Sequence, residues 1–176
     1  GRFASFATIW EPRDTIGGDL YWLSSSQQSG PFVLAVADCT GHGVPGALVS
    51  VVCNSALQRS LFEFQLVSID KVLDKTRELI IDTFSKSQVG IKDGMDIGLC
   101  RIDKRNLKLQ FVGANNPLWI VRNNKFISEE YKEKRSTLIG EEFSLIEVAS
   151  NKQPVGLHED MTPFNMIELD LHKGDM

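Results

Sequence analysis

The run Phe32-Val33-Leu34-Ala35-Val36-Ala37 is uninterrupted apolar sequence that stops on Asp38 and passes at once into Cys39-Thr40-Gly41-His42-Gly43-Val44-Pro45-Gly46-Ala47-Leu48. An apolar run of this length reads as a buried strand, and glycines followed by Pro45 read as a tight turn into the first positions of a helix. An acid at that junction stands at an exposed strand end, beside backbone N–H groups that have no partner within the helix. Metal and phosphate sites are built this way. A second acid, Asp19, sits in Gly17-Gly18-Asp19-Leu20-Tyr21-Trp22, again where a glycine turn meets an alternating apolar segment. Two such aspartates on neighbouring strands can share a hard divalent cation. Each segment alone reads equally well as a turn whose Asp caps a helix and whose glycines supply positive φ.

Composition narrows the function classes. The chain has 176 residues, of which 42% are hydrophobic, enough for one domain with a real core. Its formal net charge of -4 argues against nucleic acid as a partner and suits cation capture. Cys39, Cys53 and Cys100 are odd in number and lack C-x-x-C spacing, so neither a disulfide framework nor a zinc cluster is implied, and a reducing cytoplasm fits. No apolar run approaches the roughly 20 residues that cross a bilayer.

Strand signals fill the first forty residues, at Phe3 to Trp10, Asp19 to Ser24 and Phe32 to Asp38, with short connections that favour antiparallel neighbours. Helical spacing follows. From Pro45, Leu48, Val51, Val52, Ser55 and Phe62 are expected to share the buried face. After a capping Ser68, Ile69, Val72, Leu73, Thr76, Ile80 and Phe84 recur at three- and four-residue intervals. Strands return at Met95 to Ile102, Leu107 to Val112, Leu118 to Arg122 and Met166 to Leu171, with Asn123-Asn124 as a hairpin candidate. Glu129 to Glu142 reads as a solvated excursion. Strands on both sides of a helical pair describe an α+β layered fold.

Gly18-Asp19-Leu20-Tyr21 and Ala37-Asp38-Cys39-Thr40-Gly41-His42-Gly43-Val44-Pro45-Gly46-Ala47-Leu48 together resemble the SpoIIE-type branch of the PPM (protein phosphatase 2C-like) metal-dependent serine/threonine phosphatases. The likeness continues through Asp93-Gly94-Met95-Asp96-Ile97, Gly113-Ala114-Asn115-Asn116-Pro117, Gln153-Pro154-Val155-Gly156 and Lys173-Gly174-Asp175-Met176. It implies an antiparallel β-sandwich flanked by helices, with a site for two Mn²⁺ or Mg²⁺ ions at one end. It also implies that Asp38 bridges both ions, that the carbonyl of Cys39 binds the first, and that Asp19 supports that ion directly or through water. Members of the family continue past a Lys-Gly-Asp-Met-like stretch to an Asp-Gly motif and a further carboxylate, so the acids for the second ion are expected outside these residues. The chain, residues 1–176, then reads as one phosphatase domain excised from a longer, sensor-containing protein.

Other residues are open to two readings. Asp93 and Asp96 flank a strand entry, as a turn residue and a solvent-facing residue or as ligands, and Asp96 is taken as the ligand. His42 reads as a structural turn histidine before it reads as a general acid. Asn115 and Asn116 read as turn residues. Arg13 ranks low as a phosphate contact, and Lys104, Arg105, Lys132, Lys134 and Arg135 read as solvated charges. The resemblance implies hydrolysis of phosphoserine or phosphothreonine on a STAS-type (anti-sigma-antagonist) bacterial regulator in the cytoplasm, in a protein that a sensor or membrane anchor can precede and that a homodimer fits. The alternative is a catalytically weak or inactive pseudophosphatase that binds a phosphoprotein. A nucleotide-binding loop is disfavoured, because the lysine of G-x-x-x-x-G-K-[ST] is absent.

Overall fold

The computed structural model of the chain describes residues 7–11, 14–24, 30–64, 66, 68–86, 93–129, 131 and 137–176. Strands β1 (Leu20–Ser24) and β2 (Phe32–Cys39) lead into helices α1 (Gly43–Phe62) and α2 (Ile69–Ser85). The remaining strands are β3 (Gly94–Asp103), β4 (Lys108–Ala114), β5 (Leu118–Asn123), β6 (Thr137–Ile139), β7 (Phe143–Val148), β8 (Val155–Gly156) and β9 (Ile167–Asp170). One antiparallel sheet runs β1-β2-β3-β4-β9, with β8 paired to the start of β3, and a second runs β5-β7-β6.

Period-two alternation divides the first sheet into two working faces. Ala35, Ala37 and Cys39 of β2, Met95, Ile97 and Leu99 of β3, and Val112 and Ala114 of β4 point to the helices. There they are buried with Cys53 and Leu57 of α1 and Ile69, Val72, Leu73 and Ile80 of α2. The alternate residues Cys100, Leu109 and Phe111 point the other way, onto Ile120, Ile146 and Val148 of the second sheet. A helical layer, a sheet and a second sheet result, which is the expected α+β architecture.

The structure corrects several expectations. Residues 7–10 form no strand, and the rest of the Phe3 to Trp10 segment lies outside the described residues. The buried face of α1 is Gly46, Val49, Cys53, Ala56, Leu57 and Ser60, whereas Leu48, Val51 and Phe62 are exposed. This helix carries apolar residues on every side, so periodicity could not select a face. Its buried side is the small-residue side, which lets it lie close to the sheet. Asn123-Asn124 is not a hairpin turn. Asn124–Phe126 form a 3-10 turn, and the partner of β5 is β7. Part of the supposed excursion is the edge strand β6. Ser68 stands at the N-cap of α2, but its hydroxyl donates to the Asp70 carboxylate and not to the helix backbone.

The Lys173-Gly174-Asp175 stretch has a plain structural role. Gly174 takes φ +95, which a side chain resists, and the turn delivers Asp175 to Arg122 of β5. The guanidinium Nη2 donates to Asp175 Oδ2 at 2.7 Å and to the Asp170 carbonyl at 2.8 Å, while Nε donates to Asp175 Oδ1 at 3.0 Å. Both charged side chains are buried, 6% and 7% exposed. Beside this pair, Val121 and Met176 exchange both backbone hydrogen bonds, at 2.7 and 2.9 Å.

Candidate metal centre

Register, more than sequence proximity, assembles the acids. The β2–β3 pairing sets Asp38 directly opposite Asp96. The β1–β2 pairing matches Leu20 with Ala37, which brings Asp19, one residue before β1, level with Asp38. Ala37 and Cys39 are buried under the helices, as are Met95 and Ile97, so the carboxylates between them emerge on the opposite face. The β3–β4 pairing of Ile97 with Ala114 extends the row to Asn115, whose Nδ2 donates to Asp96 Oδ1 at 2.8 Å. Asp19, Asp38, Asp96 and Asn115 thus stand in line across four chain segments at one end of the sheet.

The turn after β2 is fixed by short contacts. The backbone N–H of Thr40 donates to the Gly94 carbonyl at 3.0 Å, and the N–H of Gly94 donates to Thr40 Oγ1 at 3.1 Å. Gly41 and Gly43 take φ +90 and +61, as the sequence predicts for this turn. Gly46 has no room for a side chain, since a Cβ there would lie 2.4 Å from the Gly41 carbonyl oxygen. Gly18 is equally constrained: a Cβ would come within 2.6 Å of the Cys39 carbonyl oxygen. The result is an open cavity of about 370 Å³ whose lining includes Asp38, Cys39, His42, Asp96 and Pro154. Pro154 arrives there because β8 pairs Val155 with Met95.

Electrostatics single out Asp38. Burial pushes its carboxyl above the usual carboxylate range, and the neighbouring Asp19 and then Asp96 push it further in the same direction. Crowded carboxylates of this kind favour a cation. The Cys39 side chain takes no part, because it is buried against α1, where hydrogen bonding to the Cys53 thiol and then burial push its pKa up and keep it a neutral thiol. Only its backbone reaches the cavity side. Among the described residues no three His, Cys, Asp or Glu side chains are already gathered as a metal cage. Hard ions need none, because they accept carbonyl and water oxygens alongside one or two carboxylates.

Three of the sequence-predicted acids, Asp19, Asp38 and Asp96, therefore line up across neighbouring segments, with Cys39 next to Asp38 on β2. Asp93 precedes β3 and does not line the cavity. Arg13, Lys132, Lys134 and Arg135 lie outside the described residues. Lys104 stacks on the Phe32 ring at 4.7 Å, at the other end of β2. Sequence reasoning treated Asn115 as a turn residue and overlooked its bond to Asp96. Its left-handed backbone, φ 56, is the turn signal, but the bond depends on a register that composition does not reveal.

The profile of the family described as Stage II sporulation protein E (SpoIIE) matches residues 28–176. No curated protein matches the sequence. Among solved structures, the SiaA-PP2C domain of Pseudomonas aeruginosa is 25% identical with a TM-score of 0.70, covering 95% of this chain and 56% of that one. The chain therefore spans little more than half of that relative. RsbX in complex with magnesium is 12% identical with a TM-score of 0.61, over 93% of this chain and 65% of that one. The RsbU and RsbW domains of a Mycobacterium tuberculosis protein give 20% identity and a TM-score of 0.61, over 93% and 38%. The last two likenesses speak for the fold alone. With its matched profile and its sheet-and-helix architecture, the chain belongs to the SpoIIE family, within the PPM, protein phosphatase 2C-like branch.

Proposed function

We propose that this chain forms the core of a metal-dependent protein serine/threonine phosphatase acting on a phosphorylated regulatory protein. The observation that carries the reading is the row of Asp19, Asp38 and Asp96 at one end of β1, β2 and β3, with Asp38 and Asp96 lining one cavity. The donors are oxygens only, and the mutual crowding of the carboxylates fits Mg²⁺ or Mn²⁺. RsbX, which shares the fold, was solved with magnesium. When bound, two such ions about 3.5–4 Å apart acidify an attacking water and neutralise phosphoryl charge. In this reading Asp38 would serve both ions, and the Cys39 carbonyl and Asp19 would help to hold the first. Asp96, held by Asn115, stands on the other side. The Thr40–Gly94 bonds keep the Asp38 turn from swinging when charge in the cavity changes.

The substrate we propose is a STAS-type phosphoprotein, with the domain working in the cytoplasm under an attached sensor. One protein that shares the fold carries RsbU and RsbW domains. The test is phosphate release from a phosphoserine peptide by the intact protein with Mn²⁺. Asp38→Asn removes the charge and keeps the shape, and is expected to lower turnover about 100-fold or more, given what metal catalysis supplies. Unchanged turnover in a folded variant overturns the assignment.

A further inference from the structure

Asn115 ends the row of acids without itself lining the cavity that Asp38 and Asp96 line. Its backbone is tied down on every side. The Asn115 N–H donates to the Asn151 carbonyl at 2.8 Å, the Asn151 N–H donates to the Gly113 carbonyl at 2.9 Å, and the Asn116 N–H donates to the Ala114 carbonyl at 2.7 Å. A Cβ on Gly113 would lie 2.5 Å from the Asn116 carbonyl oxygen, so the bend has no slack. Asn115 sits there at φ 56, a left-handed conformation that asparagine tolerates better than most side chains. Held in this way, its side chain reaches back to β3, and Nδ2 donates to Asp96 Oδ1 at 2.8 Å. An ionised carboxylate only accepts, so the amide must present its NH₂ group and not its oxygen.

The bond occupies one of the two oxygens of Asp96. Among the described residues Oδ2 accepts no hydrogen bond, and Asp96 lines the cavity. A carboxylate tied at one oxygen can offer a cation the other, but it cannot wrap the cation with both. That difference separates hard cations. Mg²⁺ demands a near-octahedral shell at about 2.0–2.1 Å, and the two oxygens of one carboxylate are too close together to span adjacent corners of it. Ca²⁺ takes about six to eight oxygens at about 2.3–2.6 Å and accepts bidentate carboxylates readily.

We propose that Asn115 is a positioning residue that sets the metal preference of this site: by holding Oδ1 of Asp96 it keeps that carboxylate monodentate, which favours Mg²⁺ over Ca²⁺. This rests on the metal-dependent reading above and deepens it. Asn115 touches no cation and acts through Asp96.

The test is calorimetric titration of the intact protein with Mg²⁺ and, separately, with Ca²⁺, read as the ratio of the two dissociation constants. Asn115→Gly removes the amide and suits the left-handed backbone, so the turn survives. Loss of a residue that orients a metal ligand typically costs about 10–100-fold in affinity. The variant is therefore expected to bind Mg²⁺ about tenfold or more weakly while Ca²⁺ stays within a few-fold, because Asp96 is then free to give Ca²⁺ both oxygens. Asn115→Asp keeps the shape, loses the donor and adds charge, and it is expected to move the ratio in the same direction. In an Asp96→Asn background, Asn115→Gly is expected to leave the ratio where it was. Equal weakening of both ions means that the turn merely supports the fold and overturns the proposal, as does a shift that persists without the Asp96 carboxylate. Wild type that takes up neither ion overturns the metal-dependent reading and this inference with it. Wild type that binds both, with a ratio that Asn115→Gly does not move, overturns this inference alone.

Discussion

At the scale of single residues, the instructive contrast is between Cys39 and Arg122. Cys39 stands next to the central acid and invites a thiol role, but its side chain is sealed under α1 against Cys53. Its contribution to the cavity is a backbone carbonyl, over which Gly18 leaves just enough space. Cys39→Ser is therefore expected to keep metal-dependent turnover within a few-fold, because it changes only the buried side. A loss of 100-fold in a folded protein, restored by a softer metal such as zinc, is the opposite outcome and points to a thiolate ligand. Arg122 looked like the polar end of a strand, yet it is 5% exposed and bound to Asp175. Removing one partner strands a buried charge, so Arg122→Ala is expected to cost about 3–5 kcal/mol in denaturant unfolding. A cost under ~1 kcal/mol shows that water reaches the pair.

The same two residues show what sequence could and could not reveal. Asp19 and Asp38 were found because each stands where a glycine turn meets a strand, a local pattern. Asn115 was read as a turn residue and Asp175 only as a motif letter, since their partners are 19 and 53 positions away and follow from register and from a turn. Elements divide the same way. β2 is a long apolar run and α2 is strongly periodic, and both elements appear where expected. β6 and β8 span three and two residues, too short to carry a period, and exist because neighbouring strands hold them. For α1 the helix was evident and the face was not. The distinction is measurable: Leu57→Ala, at a fully buried position, is expected to cost about 2–5 kcal/mol, whereas Leu48→Gln on the exposed side stays within about 0.5 kcal/mol. Equal costs at the two positions contradict this orientation of the helix.

Across the whole molecule, the second sheet covers β3 and β4 but leaves Tyr21, Leu23 and Val36 of β1 and β2 exposed on the sandwich face. The acids lie along the end of that same face, so three strands meet where like charges gather and little packing holds them. Asp38 shows the consequence. Its folded pKa is raised by burial, Asp19 and Asp96, so the native state holds its proton more tightly than the unfolded chain does. The native state binds more protons between the unfolded value near 3.9 and the raised folded value, and stability therefore falls as pH rises through that window. Above it the loss is complete and constant. At pH 7 without metal, Asp38→Asn is thus expected to raise the melting temperature while abolishing turnover. A divalent ion reverses the sign for the wild type, because it binds only the folded acids: at 100 times its Kd it adds ~2.7 kcal/mol. Mg²⁺ or Mn²⁺ should therefore raise the melting temperature of the wild type and leave that of Asp38→Asn nearly unmoved. Melting curves with and without each ion, at pH 7 and in the acid window, check both signs. A variant that melts below the metal-free wild type contradicts the crowding of Asp38, and one that responds to the ion as fully means that Asp19 and Asp96 hold the cation without Asp38.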